Sequence, residues 1–136
     1  MRWLQIAVIC LLLSINTNAN SASYVRFTND LLVDKTFYIE EKSGYDTIVK
    51  FYLHEGKLRM FYVIFYKGKL DETMTLDATL TRDGSIAYTV FDRPTELRLE
   101  KVTDREYVVK EFHNHGKEAK HTLVLEFEMP EGFGGK

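Results

Sequence analysis

Apolar and polar side chains alternate along most of this chain, in short segments that recur about every ten positions. Alternation with a period of two is typical of strands with one buried and one solvated face. The segments predict eight strands: 36–42, 46–53, 57–66, 73–81, 85–91, 96–102, 106–112 and 119–129. Residues that permit tight reversals separate them: Ser43-Gly44, Glu55-Gly56, Lys67-Gly68, Asp83-Gly84, Arg93-Pro94, Thr103-Asp104 and Asn114-His115-Gly116.

The loop between the fourth and fifth segments sets their register. A two-residue turn would mix polar and apolar side chains on each face of the hairpin. A three-residue loop over 82–84, with a left-handed glycine at its end, keeps one face apolar. It pairs Leu80 with Ile86 and Ala78 with Tyr88, so this is the register that we predict.

Eight sequential antiparallel strands with short connections favour a closed meander, which leaves no open edge. We therefore predict an all-β fold, an eight-stranded antiparallel up-and-down (meander) β-barrel. A short N-terminal helical turn over 29–33 precedes it, because Thr28 is a capping residue before the apolar stretch Leu31-Leu32-Val33. A two-sheet β-sandwich is the alternative.

The order of these elements resembles the calycin architecture, and more loosely the lipocalins. A helical turn, Asn29 to Val33, leads into a first strand that begins near Thr36, and seven strands follow. Lipocalins carry a Gly-x-Trp signature in that strand and a helix after the last one. Here Lys35-Thr36-Phe37 or Phe37-Tyr38 stands in place of the signature, and 130–136 follows the last strand. The resemblance implies a calycin-like (lipocalin-type) small β-barrel.

The N-terminus has the order of a secretory signal: Arg2, an apolar run from Ile6 to Ile15, then small polar residues. The run is about ten residues, half of what a spanning helix needs, so we expect no stable membrane insertion. We predict a signal peptide over 1–22, one β-barrel domain over 23–129 and a flexible C-terminal tail over 130–136. The protein is then exported, either periplasmic or secreted.

Composition removes several classes of function. The formal net charge of −2 gives no drive toward nucleic acid. The single cysteine, Cys10, lies in the predicted signal, so the exported domain has neither a disulfide nor a thiol nucleophile. Ser85 lacks a Gly-x-Ser-x-Gly setting, and no glycine-rich phosphate loop precedes a helix. We expect no enzymatic activity and no cofactor.

Tyrosine and phenylalanine fall near the middle of several strands, where inward rings would line a pocket. Aromatic faces with a few hydroxyls bind small molecules and orient them. The predicted ligand-binding residues are Phe37, Tyr52, Tyr62, Tyr88, Tyr107 and Leu32, the last from an apolar lid over 31–33. The alternative is that these rings fill the interior of a small barrel.

The third segment is apolar on both faces over 58–66, which indicates that both faces are covered. The alternatives are cover by another part of the chain, cover by a second copy or another protein, and contact with a membrane. In the second case Phe61, Val63 and Phe65 would point outward and anchor an interface.

Three histidines cluster late in the chain. His113 and His115 form a His-x-His pair close to His121 and Glu111, a set of ligand types that suits Zn or Cu. The same stretch contains Asn114, Gly116 and Lys117, as an ordinary exposed hairpin would. We predict no metal site and keep His113, His115 and His121 as weak candidates.

Two functions are open at this point. The first is an exported protein that binds a small apolar or amphipathic molecule in the barrel interior. The alternative is a protein–protein interaction or scaffold module that forms a homodimer, or engages another protein, through strand 58–66. We favour ligand binding.

Overall fold

The structure is a computed structural model that describes residues 25–41, 43–118 and 121–133. Helix α1 is Asn29–Leu32, one residue shorter than the predicted turn over 29–33, and the Thr28 side chain makes no capping hydrogen bond. The strands are β1 (Thr36–Glu40), β2 (Tyr45–His54), β3 (Lys57–Tyr66), β4 (Lys69–Leu80), β5 (Ile86–Val90), β6 (Arg93–Val102), β7 (Glu106–His113) and β8 (His121–Glu126). A 3-10 turn, Asn114–Gly116, follows β7. Within the described residues, neither helical segment is long enough to cross a membrane.

Each strand lies antiparallel to the next, and the sheet closes on itself as an eight-stranded barrel. The predicted meander barrel is confirmed, and the alternative β-sandwich is wrong. Among the described residues, the register pair that joins β1 to β8 is Tyr38 with Glu126. The architecture is consistent with a calycin-like barrel.

The register between β4 and β5 is also confirmed. Ala78 pairs with Tyr88 and Leu80 with Ile86. Gly84 has φ +81°, the left-handed conformation that the three-residue loop needs. The alternation of apolar and polar residues was enough to predict this register, because shifting one strand by one residue would turn its apolar side chains outward.

The predicted turn at Arg93-Pro94 is wrong by two residues. The chain reverses at Phe91 and Asp92, with φ of 51° and 59°, and β6 already begins at Arg93. Both central residues are left-handed, as in a type I′ hairpin turn, which normally selects Asn or Gly. Pro94 suggested a turn in the sequence, but in the structure it lies near the start of β6 and pairs with Thr89 of β5.

The N-terminal segment 25–35 plugs one end of the barrel, which we call the closed end. Leu32 is completely buried there. The Tyr107 hydroxyl on β7 donates a hydrogen bond to the Leu31 carbonyl at 3.0 Å. The helical turn is therefore fastened to the interior of the sheet, and it lies where β1 and β7 begin.

Aromatic side chains fill the interior above this plug. The ring of Phe37 lies 5.3 Å from that of Tyr107, 5.8 Å from Phe51 and 5.7 Å from Phe127, centroid to centroid. Tilted and edge-on contacts of this kind add to the burial of the rings themselves. At the closed end, these rings fill the barrel interior, which was the alternative to a pocket lined by aromatic residues.

The first part of the predicted C-terminal tail returns to the outer surface of the barrel. The Phe133 ring packs edge-on against Tyr38 of β1 at 5.6 Å and against Phe65 of β3 at 6.2 Å. Phe133 is only 9% exposed. The outward face of β3 is therefore covered in part by the chain's own C-terminal residues.

Candidate functional site at the mouth of the barrel

The opposite end of the barrel, which we call the mouth, contains a cavity of about 540 Å³ that is open to solvent on one side. This is within the range of small-molecule sites in proteins, about 300–1,000 Å³. The cavity lies where β1, β3, β5 and β7 end and their even-numbered partners begin. Its lining residues are Ile39, Glu41, Tyr45, Thr47, Tyr62, Ile64, Asp71, Glu72, Tyr88, Val90, Phe91, Arg93, Glu111, His113 and Leu123.

Two tyrosines form the polar centre of this cavity. The Tyr62 hydroxyl on β3 donates to the Tyr88 hydroxyl on β5 at 3.1 Å, and the ring centroids are 6.2 Å apart. Tyr88 is only 6% exposed. Burial, together with the negative charges of Glu111 and Glu41, raises the pKa of both phenols above its ordinary value. Both therefore stay neutral and keep their O–H hydrogens at physiological pH.

A second polar group joins β6 to β7. His113 Nδ1 lies 3.1 Å from Thr95 Oγ1, and His113 Nε2 lies 3.0 Å from Glu111 Oε1. The Thr95 hydroxyl also donates to the Arg93 carbonyl at 3.1 Å, and Thr95 is 3% exposed. The threonine bonded to a carbonyl and the imidazole bonded through both nitrogens hold this part of the wall in place.

An irregularity in β4 brings extra negative charge to the mouth. Ile64 pairs with Glu72, but the next residue, Phe65, pairs with Leu70, so Asp71 is left as a bulged residue. A bulge turns side chains that would otherwise alternate. As a result, neighbouring carboxylates of Asp71 and Glu72 both line the cavity.

Glu41 shows the electrostatic character of the mouth most directly. Partial burial, and then the like charges of Glu111 and Asp46, raise the pKa of the Glu41 carboxyl, against a smaller opposing effect from His121. The side-chain carboxylates of Glu41, Asp71 and Glu72 make no hydrogen bond or ion pair to another described residue. The mouth thus holds carboxylates that the described part of the chain does not neutralise.

Large apolar side chains stand around the rim of the mouth. Phe91 is 67% exposed, in a left-handed backbone conformation that costs a bulky residue about 1–2 kcal/mol. Tyr45 and Tyr66 are exposed neighbours whose rings lie 4.6 Å apart, and Leu70 is exposed beside them. Strained backbone at the edge of a cavity is a frequent mark of functional sites.

The structure brings only two of the predicted ligand-binding residues together at the cavity, Tyr62 and Tyr88. Leu32, Phe37 and Tyr107 are packed into the closed end. The predicted lid over 31–33 lies there too, at the end opposite the mouth. Tyr52 lies outside the buried core, because Val49 and Phe51 are the inward residues of β2 and Tyr52 has the opposite phase.

The histidines are separated by their places on the hairpin. His113 ends β7 and points into the mouth, whereas His115 adopts φ +59° in the 3-10 turn and is exposed. The His121 ring lies 6.2 Å from that of His113. Among the described residues, no three His, Cys, Asp or Glu side chains form a group that would hold a metal ion.

The sequence analysis did not predict Glu111 and His113 as residues of the cavity, although the alternation along β7 indicates their inward position. Tyr107 and Val109 are buried inward residues of β7, and Glu111 and His113 continue their phase. Continuing the alternation past the last apolar residue would therefore have placed both in the barrel interior. Nothing local marked Asp71, since its position depends on a bulge between two strands.

No protein-family model and no curated protein sequence matches the chain.

Proposed function

We propose that this chain is an exported protein that binds a small apolar or amphipathic molecule in the mouth of its barrel. The observation that carries the proposal is a cavity of about 540 Å³ beside a tightly filled interior. Apolar walls from Ile39, Ile64, Val90 and Leu123 would favour burial of a ligand's apolar surface. The lipocalin-type interpretation agrees with this, since the N-terminal segment closes one end and leaves the other for a ligand.

The two tyrosines would orient the bound molecule. They bring two O–H hydrogens to the cavity, and the bond between them uses one. The second hydrogen would be available to an acceptor on the ligand or to a water.

Binding, not catalysis, is the proposed activity. The arrangement of Thr95, His113 and Glu111 has the order of a nucleophile, base and carboxylate, but the threonine is buried and its hydroxyl donates to a main-chain carbonyl. We therefore assign these residues to positioning the wall of the cavity.

Native mass spectrometry of the gently purified protein tests this proposal. We expect a monomer with a releasable small-molecule adduct. Val90→Trp, which fills the cavity from a half-buried lining position, should abolish the adduct. Thr89→Trp places the same side chain at the adjacent exposed position and should keep it. An adduct that survives in Val90→Trp would exclude the mouth as the site.

The alternative, an interface on the outer face of β3, is supported by one observation: Phe61 is 40% exposed. Val63 and Phe65 are partly buried, and Phe133 packs on Phe65, so two of the three predicted anchors are already covered in part. A bare dimer in the same spectrum, lost in Phe61→Ser, would favour this alternative.

A further inference from the structure

The charged groups at the mouth are predominantly negative. The carboxylates of Glu41, Asp71, Glu72 and Glu111 line the cavity, against one guanidinium, that of Arg93. Arg93 Nη1 also lies 3.8 Å from Glu118 Oε2 outside the cavity, so its charge is shared with another carboxylate. A cavity of this composition attracts cations and repels anions.

The neutral lining of the cavity also suits a cation. Tyrosine rings attract a cation to their faces by about 0.5–2 kcal/mol, more as water is excluded. Tyr62 and Tyr88 are held in place by their mutual hydrogen bond and lie in the same cavity as Glu111. Their hydroxyl oxygens have lone pairs that accept from an N–H group.

The rim supplies apolar surface beyond the charged groups. Phe91 also lines the cavity and is 67% exposed, so most of its ring is uncovered. Val90 and Ile64 continue this apolar surface inward. A molecule with a charged head and an apolar body would match both parts at once.

We propose that the ligand of the mouth is an amphipathic organic amine, with its ammonium group among the carboxylates of Glu41, Glu72 and Glu111 and its apolar body against Phe91. This inference rests on the proposed function and names the class of ligand for the same cavity. Burial first, and then the like charges of Glu111 and Asp46, raise the pKa of the Glu41 carboxyl in the free protein. A cation between Glu41 and Glu111 would offset the repulsion between these two groups.

Three ligands with one naphthyl group test the class: 2-(1-naphthyl)ethylamine, its neutral N-acetyl amide and the anion 3-(1-naphthyl)propanoate. Calorimetric titration of the purified protein should show the amine binding at least about tenfold more tightly than the other two. The preference should shrink as salt is raised, since part of the site is open to solvent.

Paired variants separate local charge from total charge. The double variant Glu41→Gln/Glu72→Gln should remove most of the amine's preference over the amide. Glu55→Gln/Glu100→Gln removes two carboxylates away from the cavity and should leave the preference unchanged. Thermal unfolding of each variant confirms that it is folded before binding is compared.

The outcomes distinguish this inference from the function on which it rests. Equal binding of all three ligands, lost in the cavity-filling variants Val90→Trp and Ile64→Trp, would keep a binding cavity and overturn the amine class. Preference for the amine that persists in Glu41→Gln/Glu72→Gln would also overturn it. Absence of binding by any of the three, with no adduct in native mass spectrometry, would overturn both proposals.

Discussion

The Tyr62 and Tyr88 hydroxyls meet at 3.1 Å across the interior of the barrel, one from β3 and one from β5. These strands are not neighbours in the sheet, because β4 lies between them. The hydrogen bond therefore spans the space inside the barrel and fixes two rings of the cavity relative to each other.

A double-mutant cycle on Tyr62→Phe and Tyr88→Phe should give a coupling of about 1 kcal/mol in the free energy of unfolding. Each variant keeps its ring, so packing changes little. Urea titration of the four proteins measures the coupling. Tyr45→Phe, at an exposed position on the rim, is the control and should be additive with either change.

Phe91→Gly should stabilise the fold and weaken ligand binding. Glycine relieves the left-handed backbone at φ 51°, a gain of about 1 kcal/mol, but removes the ring from the rim of the cavity. Glu55→Gly relieves the same kind of strain, φ 52°, at the closed end. It should give a similar gain with ligand affinity unchanged. Unaltered affinity in Phe91→Gly would show that the ring plays no part in binding.

The pKa of Glu41, raised from 4.5, makes a pH-dependent contribution to stability. Between 4.5 and the raised pKa, the folded protein binds more protons at this carboxyl than the unfolded chain does, so this contribution decreases as pH rises through that interval. Subtracting the pH profile of Glu41→Gln from that of the unmodified protein, both from urea unfolding, should show this decrease. A Glu41 difference that rises with pH would contradict the raised pKa.

Phe133→Ala should destabilise the protein by about 2–3 kcal/mol, because it removes a largely buried ring that packs on Tyr38 and Phe65. Met129→Ala, at a residue that is 57% exposed, should change stability by less than about 0.5 kcal/mol. Chemical denaturation measures both. If the two variants are equally stable, Phe133 does not cover the outer face of β3 in solution.

Gly84→Ala should damage the closed end far more than Gly116→Ala damages the mouth hairpin. Both glycines are left-handed, at φ +81° and +80°. A Cβ at Gly84 would lie 2.6 Å from the Arg26 Cβ and 3.0 Å from its Cα, whereas one at Gly116 meets nothing within 4 Å. We expect a loss of about 1 kcal/mol at Gly116 and a further 1–3 kcal/mol at Gly84. Equal losses would show that the N-terminal segment does not pack on this loop.

The fold was largely predictable because the alternation of apolar and polar residues in each strand shows which face is buried. The pairing of Leu80 with Ile86 followed from this alternation in β4 and β5 alone. The site was less predictable, because alternation assigns a residue to the interior but not to one end of it. Phe37 and Tyr62 have the same inward phase, yet one is covered by the N-terminal plug and the other lines the cavity.

The closure of the barrel between Tyr38 and Glu126 determines where the protein begins to unfold. Joining the first and last strands carries the greatest loop-closure entropy of any pairing in a meander, and few described contacts secure it. Amide hydrogen exchange should therefore be fastest along this line, ahead of the long ladder between β3 and β4. Once separated, β1 and β8 expose unpaired backbone groups to the same two strands of another molecule. Partial denaturation should thus lead to strand exchange between copies and, at high concentration, to fibrils that grow from this edge.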